Sequence, residues 1–389
     1  MVVGSSCFAQ VLSLVDRSDF AGAVDEHDAE RASKGFPCWD QFVSMAFCHL
    51  GSANSLREIC GGLATAMGKL VHLGMDGAPA RSTLGYANEH RPWQLYETVF
   101  YQVLGRCGAL AATKRRKFRF KNPLRSLDSS VIDLCLSAFD WARFRRTKGA
   151  VKLHLQLDNQ GCLPCWALVT DGKVADVKAA WELSLAPGTI VAMDRGYNDY
   201  RLFGAWTEQG VFFVTRAKDN MVYELVECRE VPTGGNVLSD DTIVLSGAQA
   251  EEKCPYRLRR IVVWDEEQQR TIVLLTNIFH LAASTVAAIY KDRWQIELFF
   301  KALKQRLKVK TFVGTSENAV KTQIWTALIA MLLLKFLQLK SSYNWSLSNL
   351  AAMLRFNLLT YRDLWAWLDA PFSVPVMEPL VTQLSLFGP

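Results

Sequence analysis

The sequence has no Gly-x-Ser-x-Gly elbow, no Walker loop and no Gly-x-Gly-x-x-Gly fingerprint. A serine hydrolase, a P-loop nucleotidase and a dinucleotide enzyme therefore have no starting point. Its Cys-x-x-Cys, Cys162 to Cys165, has neither a second pair nor a His at zinc spacing. That pair reads as strand packing and not as a metal or redox site. The opening Met1-Val2-Val3-Gly4 shows no basic n-region and no cleavage pattern. Free thiols in a reducing cytosol are the expectation for the ten cysteines. The most apolar run, Thr322 to Leu334, is thirteen residues between Lys321 and Lys335. That is too short to span a bilayer, so the expectation is a buried helix and no membrane partner. There is no internal repeat.

What is present is an ordinary globular chain of 389 residues, 50% hydrophobic and 21% charged. At roughly 100–200 residues per domain this suggests two to four domains, and the composition excludes wholesale disorder. The net charge of +6 is mild, but its distribution is not even. Lys114 to Lys121 holds six basic residues in eight, and Lys301 to Lys310 holds five in ten. Clusters of this kind suit contacts to phosphates; a solvated charged face is the bland alternative.

The first hundred or so residues read as helical. Phe42 to Leu50 is largely apolar, and Ser55 with Glu58 has capping-box spacing. A second helix start follows at Pro79 to Arg91. The two helices suggest a helix-turn-helix-like unit offering Arg81, Ser82, Thr83 and Tyr86 to DNA, with an ordinary helical bundle as the alternative. Past the basic run, Leu124–Val131, Val151–Leu157 and Cys162–Val169 read as strands. Ala175–Leu185 reads as a helix, and Thr189–Met193 as a short buried strand ending at Asp194. A helix to about Gln209 and a strand at Val211–Thr215 follow. This β-β-β-α-β-α-β order is that of an RNase H-like fold, which next requires a long helix. Here about sixty residues of predicted strands intervene. The helix is expected over about Ala283–Lys308, and another over about Asn318–Leu339.

Three acids stand out by position. Asp128 lies on the first strand, Asp194 at the carboxyl end of the short buried strand, and Glu297 on the delayed helix. Strand ends are where α/β proteins build sites. Hard divalent cations take oxygen ligands, and two such ions can stabilise an in-line displacement at phosphorus. On a helical wheel at about 100° per residue, Tyr290, Arg293, Glu297 and Lys304 share one narrow stripe about 21 Å long. Ile289, Ile296, Phe300, Leu303 and Leu307 form the apolar stripe beside it. An i,i+4 ion pair of Arg293 with Glu297 on a solvated face is the competing reading.

At these residues the sequence resembles bacterial DDE transposases of the insertion sequence 4 family. That family's last catalytic helix carries Tyr, two residues, Arg, three residues, Glu, six residues, Lys. Tyr290, Arg293, Glu297 and Lys304 match without a gap. Asp194-Arg195-Gly196-Tyr197, Phe213 to Lys218, Asp128-Ser129-Ser130 and Lys148 to His154 also resemble the family, as does Cys38–Phe42 through Ala87-Asn88. The resemblance implies an α/β architecture: an RNase H-like catalytic domain (111–219 and 278–340) interrupted by a β-rich insertion (220–277). An all-α N-terminal DNA-binding domain (1–110) would precede it. The resemblance ends at about Leu339, and the remainder (341–389) reads as a C-terminal helical tail, a candidate for dimerisation. It implies Asp128, Asp194 and Glu297 as catalytic ligands of Mg2+ or Mn2+. Tyr290, Arg293 and Lys304 would contact phosphates near the cleaved end.

The implied function is cut-and-paste DNA transposition by a homodimer bound to terminal inverted repeats and target DNA, in the cytoplasm with the nucleoid. A 3′-hydroxyl freed by hydrolysis would attack the opposite strand, pass through a hairpin, and join target DNA. The alternatives are an inactive end-binding repressor and a nuclease of the same fold without strand transfer. Trp264, the only Trp of the insertion, is a candidate to stack on a flipped base, with insertion core as the blander reading. Ala175 stands where many relatives carry His, and Asp176 is left with no role.

Overall fold

The computed structural model describes residues 4–373, except 32, 34, 67, 115, 135–138, 140, 146–147, 232–234, 248 and 307–311. Arg115, Leu307, Lys308 and Lys310 of the sequence reading lie outside the described residues. Helices come first: α1 (Cys7–Leu12), α2 (Arg17–Glu26), α3 (Cys38–Leu50), α4 (Leu56–Ala64), α5 (Arg81–His90) and α6 (Gln94–Ala112). Half of the capping box of α4 forms, with Glu58 reaching the amide of Asn54 instead of that of Ser55. Ser55 Oγ accepts from the Glu58 amide at 3.2 Å, and Glu58 accepts from the Asn54 amide at 2.9 Å.

Strands follow as β1 (Leu124–Leu134), β2 (Arg143–Arg145), β3 (Lys148–Asp158) and β4 (Leu163–Asp171). Then come α7 (Asp176–Trp181), β5 (Ile190–Met193), α8 (Tyr200–Glu208) and β6 (Phe212–Arg216). The next segment holds β7 (Tyr223–Cys228), β8 (Val237–Leu245), α9 (Ala250–Lys253), β9 (Leu258–Asp265) and β10 (Arg270–Thr276). The described chain closes with α10 (Ala283–Asp292), α11 (Trp294–Arg306), α12 (Glu317–Lys340), α13 (Leu347–Asn357) and α14 (Leu364–Asp369).

The strands form one mixed sheet in the order β2-β3-β1-β5-β6-β10-β9-β8-β7, with β4 on β3. Within it, β4-β3-β1 are antiparallel neighbours and β1-β5-β6 are parallel ones. That pattern fits an RNase H-like core. The short β2 was not among the expected strands. The strands of 220–277 extend this same sheet rather than forming another: β10 pairs with β6, Leu275 opposite Thr215. Buried Asn277 locks the junction, accepting from the Phe213 amide and donating to the Val211 carbonyl, both at 2.9 Å.

Side-chain alternation on β5 sorts the two faces. Val191 and Met193 join the cluster of Leu127, Tyr197, Phe203 and Phe213 on the α8 side. Ile190 and Ala192 join Val214, Val286 and Ile289 on the α10 side.

The single helix expected over 283–308 is two. Helix α10 ends at Asp292, α11 begins at Trp294, and Arg293 occupies the turn between them. At this break the buried Asp292 accepts from Lys117 at 2.6 Å and from Asn159 at 2.8 Å. The basic run is thereby anchored beside the start of α11. Its Phe118 and Phe120 turn inward as Lys114, Arg116, Lys117, Arg119 and Lys121 stay exposed.

Helix α12 runs at both ends past its thirteen-residue apolar stretch, close to the bounds expected, and the polar residues within that stretch are satisfied inside the core. Gln323 accepts from the Val313 amide, and Thr326 meets His49 at 3.0 Å. By length and composition it would suffice to cross a membrane, yet it lies mostly buried inside the fold. Around it the N-terminal helices, the β3 face and the C-terminal helices share one core. Trp325 is fully buried there, between Trp93 at 6.3 Å and Phe100 at 5.3 Å. Trp325→Ala is expected to cost about 3–5 kcal/mol, read from the denaturant midpoint.

Candidate active site

Register places two of the acids side by side. Leu127 lies opposite Met193 in the parallel β1–β5 ladder, and Asp128 and Asp194 are the next residues on each strand. Leu127 and Met193 point to the α8 side, so the residues after them turn toward the face that carries α10 and α11. Asp194 Oδ1 accepts from the Gly196 amide at 2.7 Å, and the Thr215 hydroxyl donates to the Asp194 carbonyl at 3.0 Å.

The third acid arrives on α11, whose Ile296, Phe299, Phe300 and Leu303 are buried. Arg293 joins it to the strand: one guanidinium nitrogen lies 3.2 Å from Asp128 Oδ2, the other 2.8 Å from Glu297 Oε1. The helical break does not separate the stripe. Arg293 still sits over the Tyr290 ring, 5.5 Å from its centre.

Burial is the largest influence on the Asp128 carboxyl and pushes its pKa up to about 7. Arg293 and the Ser129 amide oppose this shift, whereas the charges of Asp194 and Glu297 add to it. Burial also raises Tyr290, with Arg293 and Arg216 lowering it and Asp194 raising it. Tyr290 therefore stands among Arg293, Asp194 and Arg216. The Arg293 Nε is buried without a hydrogen-bond partner among the described residues, a donor left over for an incoming acceptor.

The donor chemistry fits a hard divalent cation: three carboxylates, one of them driven toward its neutral form chiefly by burial, with the charges of the other two adding to it. The spacing is that of an arginine clamp. Among the described residues, no three of His, Cys, Asp and Glu stand close enough to hold one ion. Arg293 spans Asp128 and Glu297, two of the three carboxylates.

Lys304 donates to the Val131 carbonyl at 2.6 Å and so ties α11 to β1. Arg81, Ser82 and Thr83 form the exposed first turn of α5. With Arg57 of α4, Arg81 and Ser82 line an open groove of about 690 Å3. They are not among the residues touching the three acids. Trp264 is half-buried on β9, the third strand out from β5. Cys162 and Cys165 are free thiols, with Cys165 Sγ on the Gln156 carbonyl.

Sequence reasoning passed over Arg216 and Asp176 as site residues. Arg216 ends β6, and its charge lowers the Tyr290 pKa; the strand-end rule that picked out Asp194 would have found it.

A family described as Transposase DDE domain matches residues 119–333, over half the chain. This chain belongs to the DDE transposases. Its relatives come from insertion sequences. One, described as a transposase for insertion sequence element IS5377 of Geobacillus stearothermophilus, is 32% identical over 71% of this chain and 72% of its own length. The transposase-like protein y4zB of Sinorhizobium fredii is 34% identical over 66% of this chain and 71% of its own. Residues 3–76 match a domain of unknown function. A piggyBac transposase synaptic complex with hairpin DNA aligns at TM-score 0.45 and 10% identity, over 96% of this chain and 82% of that one.

Proposed function

We propose that this chain moves an insertion sequence by cutting at its ends and joining them to target DNA, as a member of the Tyr-Arg-Glu-Lys branch of the insertion sequence 4 family. The observation that carries the reading is Arg293 joining Asp128 to Glu297, with Asp194 on the neighbouring strand.

Asp128, Asp194 and Glu297 would hold Mg2+ or Mn2+. Such ions, when bound, neutralise charge on the attacking and leaving oxygens at phosphorus. The chain's own groups do the positioning. Arg293 turns from Asp128 and offers its planar fork, with the spare Nε, to a phosphate. Tyr290 and Arg216 flank that phosphate from the Asp194 side. Lys304 first fixes α11 on β1, and a phosphate contact would draw it from the Val131 carbonyl. The exposed cations of the 114–121 run, anchored by Lys117 on Asp292, extend a basic track to the site. Arg81, Ser82 and Thr83 would meet the terminal repeat, and two copies would pair two ends. Each chemical step is a displacement at phosphorus with water or a DNA hydroxyl as nucleophile, so one site serves them all.

The test uses purified full-length protein, Mg2+ and a labelled duplex carrying the element's own end. Wild type is expected to nick the end and yield joined target products, whereas Asp194→Ala binds the end and does not nick it. End binding without nicking in Mg2+ or Mn2+ would replace this reading with a repressor. Cleavage without joined products would replace it with a nuclease.

A further inference from the structure

A fourth carboxylate approaches the site from behind. Asp176 opens α7, on the far side of the sheet from Glu297. Its Oδ1 accepts from the Ser129 hydroxyl at 2.6 Å and from Lys152 Nζ at 3.3 Å. The His154 Nδ1 lies 3.6 Å from the same oxygen. Strand register explains the gathering: Ser129 pairs with His154 and Val131 with Lys152, so these side chains share the face opposite Asp128.

The other oxygen lies beside the turn that follows the second acid. A Cβ built on Gly196 would stand 2.9 Å from Asp194 Oδ1 and 3.5 Å from Asp176 Oδ2. The two carboxylates therefore lie either side of the Gly196 turn, where glycine alone leaves room. Ser129 completes the link to the first acid, since its amide donates to Asp128 Oδ1 at 2.8 Å as its hydroxyl donates to Asp176. The environment suits a fixed strut. Lys152 also donates to the Val174 carbonyl at 2.8 Å, and His154 is fully buried on Thr170 at 3.0 Å. Burial pushes the His154 pKa down to about 4, so the imidazole adds no charge at neutral pH.

We propose that Asp176 is a positioning residue for the transposase site. It holds Asp128 through Ser129 and the Asp194 turn through Gly196, and so sets how the carboxylates present to a divalent cation. This rests on the assignment of Asp128 and Asp194 made above. Groups that orient ligands in this way typically cost 10–100-fold in metal affinity or activity when removed.

The experiment compares full-length wild type, Asp176→Ala, Asp176→Asn, Ser129→Ala and the double variant Asp176→Ala/Ser129→Ala. Mn2+ binding is followed by electron paramagnetic resonance without DNA, and nicking of a labelled end is followed against Mn2+ concentration. Asp176→Ala is expected to raise the Mn2+ midpoint about tenfold or more and to slow nicking by about 10–100-fold. Asp176→Asn keeps an oxygen for Ser129 and recovers part of the loss. The double variant is no worse than Asp176→Ala, because the two residues act as one unit. A purely structural residue would lower the folded fraction and leave the midpoint of the folded protein unchanged.

A wild-type midpoint in Asp176→Asn and Ser129→Ala overturns the proposal, as do strictly additive penalties. Those two milder variants keep the test decisive should Asp176→Ala not fold. Wild-type protein that neither binds Mn2+ nor nicks would instead overturn the functional reading beneath it.

Discussion

Glu297→Gln is expected to slow cleavage of a transposon end by about a thousandfold or more, with DNA binding and melting temperature close to wild type. A metal ion contributes several kcal/mol to charge stabilisation at phosphorus, and each 1.36 kcal/mol is tenfold in rate. The amide keeps an oxygen for Arg293, which now sits 2.8 Å from Glu297 Oε1, but loses the charge a cation needs. Because the Glu297 side chain is a third exposed, the fold should tolerate the change. Single-turnover cleavage on a saturating end duplex reads the effect. A rate within tenfold of wild type would remove Glu297 from the site.

Asp128→Asn carries the opposite expectation for stability. With its carboxyl pushed up to about 7, Asp128 binds its proton more tightly in the folded chain than in the unfolded one. Its contribution to stability is therefore full below about pH 4 and lost as pH rises through about 7. In metal-free protein, Asp128→Asn should accordingly become more stable than wild type as pH rises, by a few kcal/mol at pH 8. The same substitution should abolish cleavage. Two other groups titrate nearby in pH. Asp40, raised by burial to about 6, adds to the wild-type slope. His154, depressed by burial to about 4, opposes it between about 4 and 6.5. The informative quantity is thus the difference between the two proteins in urea titrations with chelator at pH 5 and pH 8. Mn2+ should restore wild type at pH 8 and leave Asp128→Asn little changed. Parallel stability curves would show that burial does not hold the Asp128 carboxyl toward its neutral form.

These effects explain what could be read from the sequence alone. Asp194 was legible because the end of a short buried strand follows from local alternation and a turn, whereas Asp128, inside the longer β1, was legible by its place on the first strand and the residues around it. Glu297 was legible through its spacing from Tyr290, Arg293 and Lys304. The break at Arg293 was not, because neither Gly nor Pro marks it. At that break, partners 175 and 133 residues away hold Asp292, and no helical wheel contains them.

Pairing was likewise hidden. The strands of 220–277 carry ordinary strand patterns, but only the junction at Leu275 and Thr215 makes them one sheet with β6. Asp176 looked idle for the same reason. Its partners come from β1, β3 and the Gly196 turn, on the face of the sheet away from the other acids. Helix α12 was legible almost to its ends, expected over about Asn318–Leu339 and found over Glu317–Lys340; what the sequence did not show is that Gln323 and Thr326 are buried with hydrogen-bond partners.

Arg293 now joins Asp128 to Glu297, two of the three carboxylates proposed to hold a divalent cation. A crystal of the full chain with a transposon-end duplex, soaked in Mn2+ and measured at the manganese absorption edge, tests this directly. The predicted result is anomalous density touching Asp128, Asp194 and Glu297, with the Arg293 guanidinium moved onto a DNA phosphate. Density held by other residues, or Arg293 still spanning Asp128 and Glu297 with the DNA end seated beside it, would contradict it.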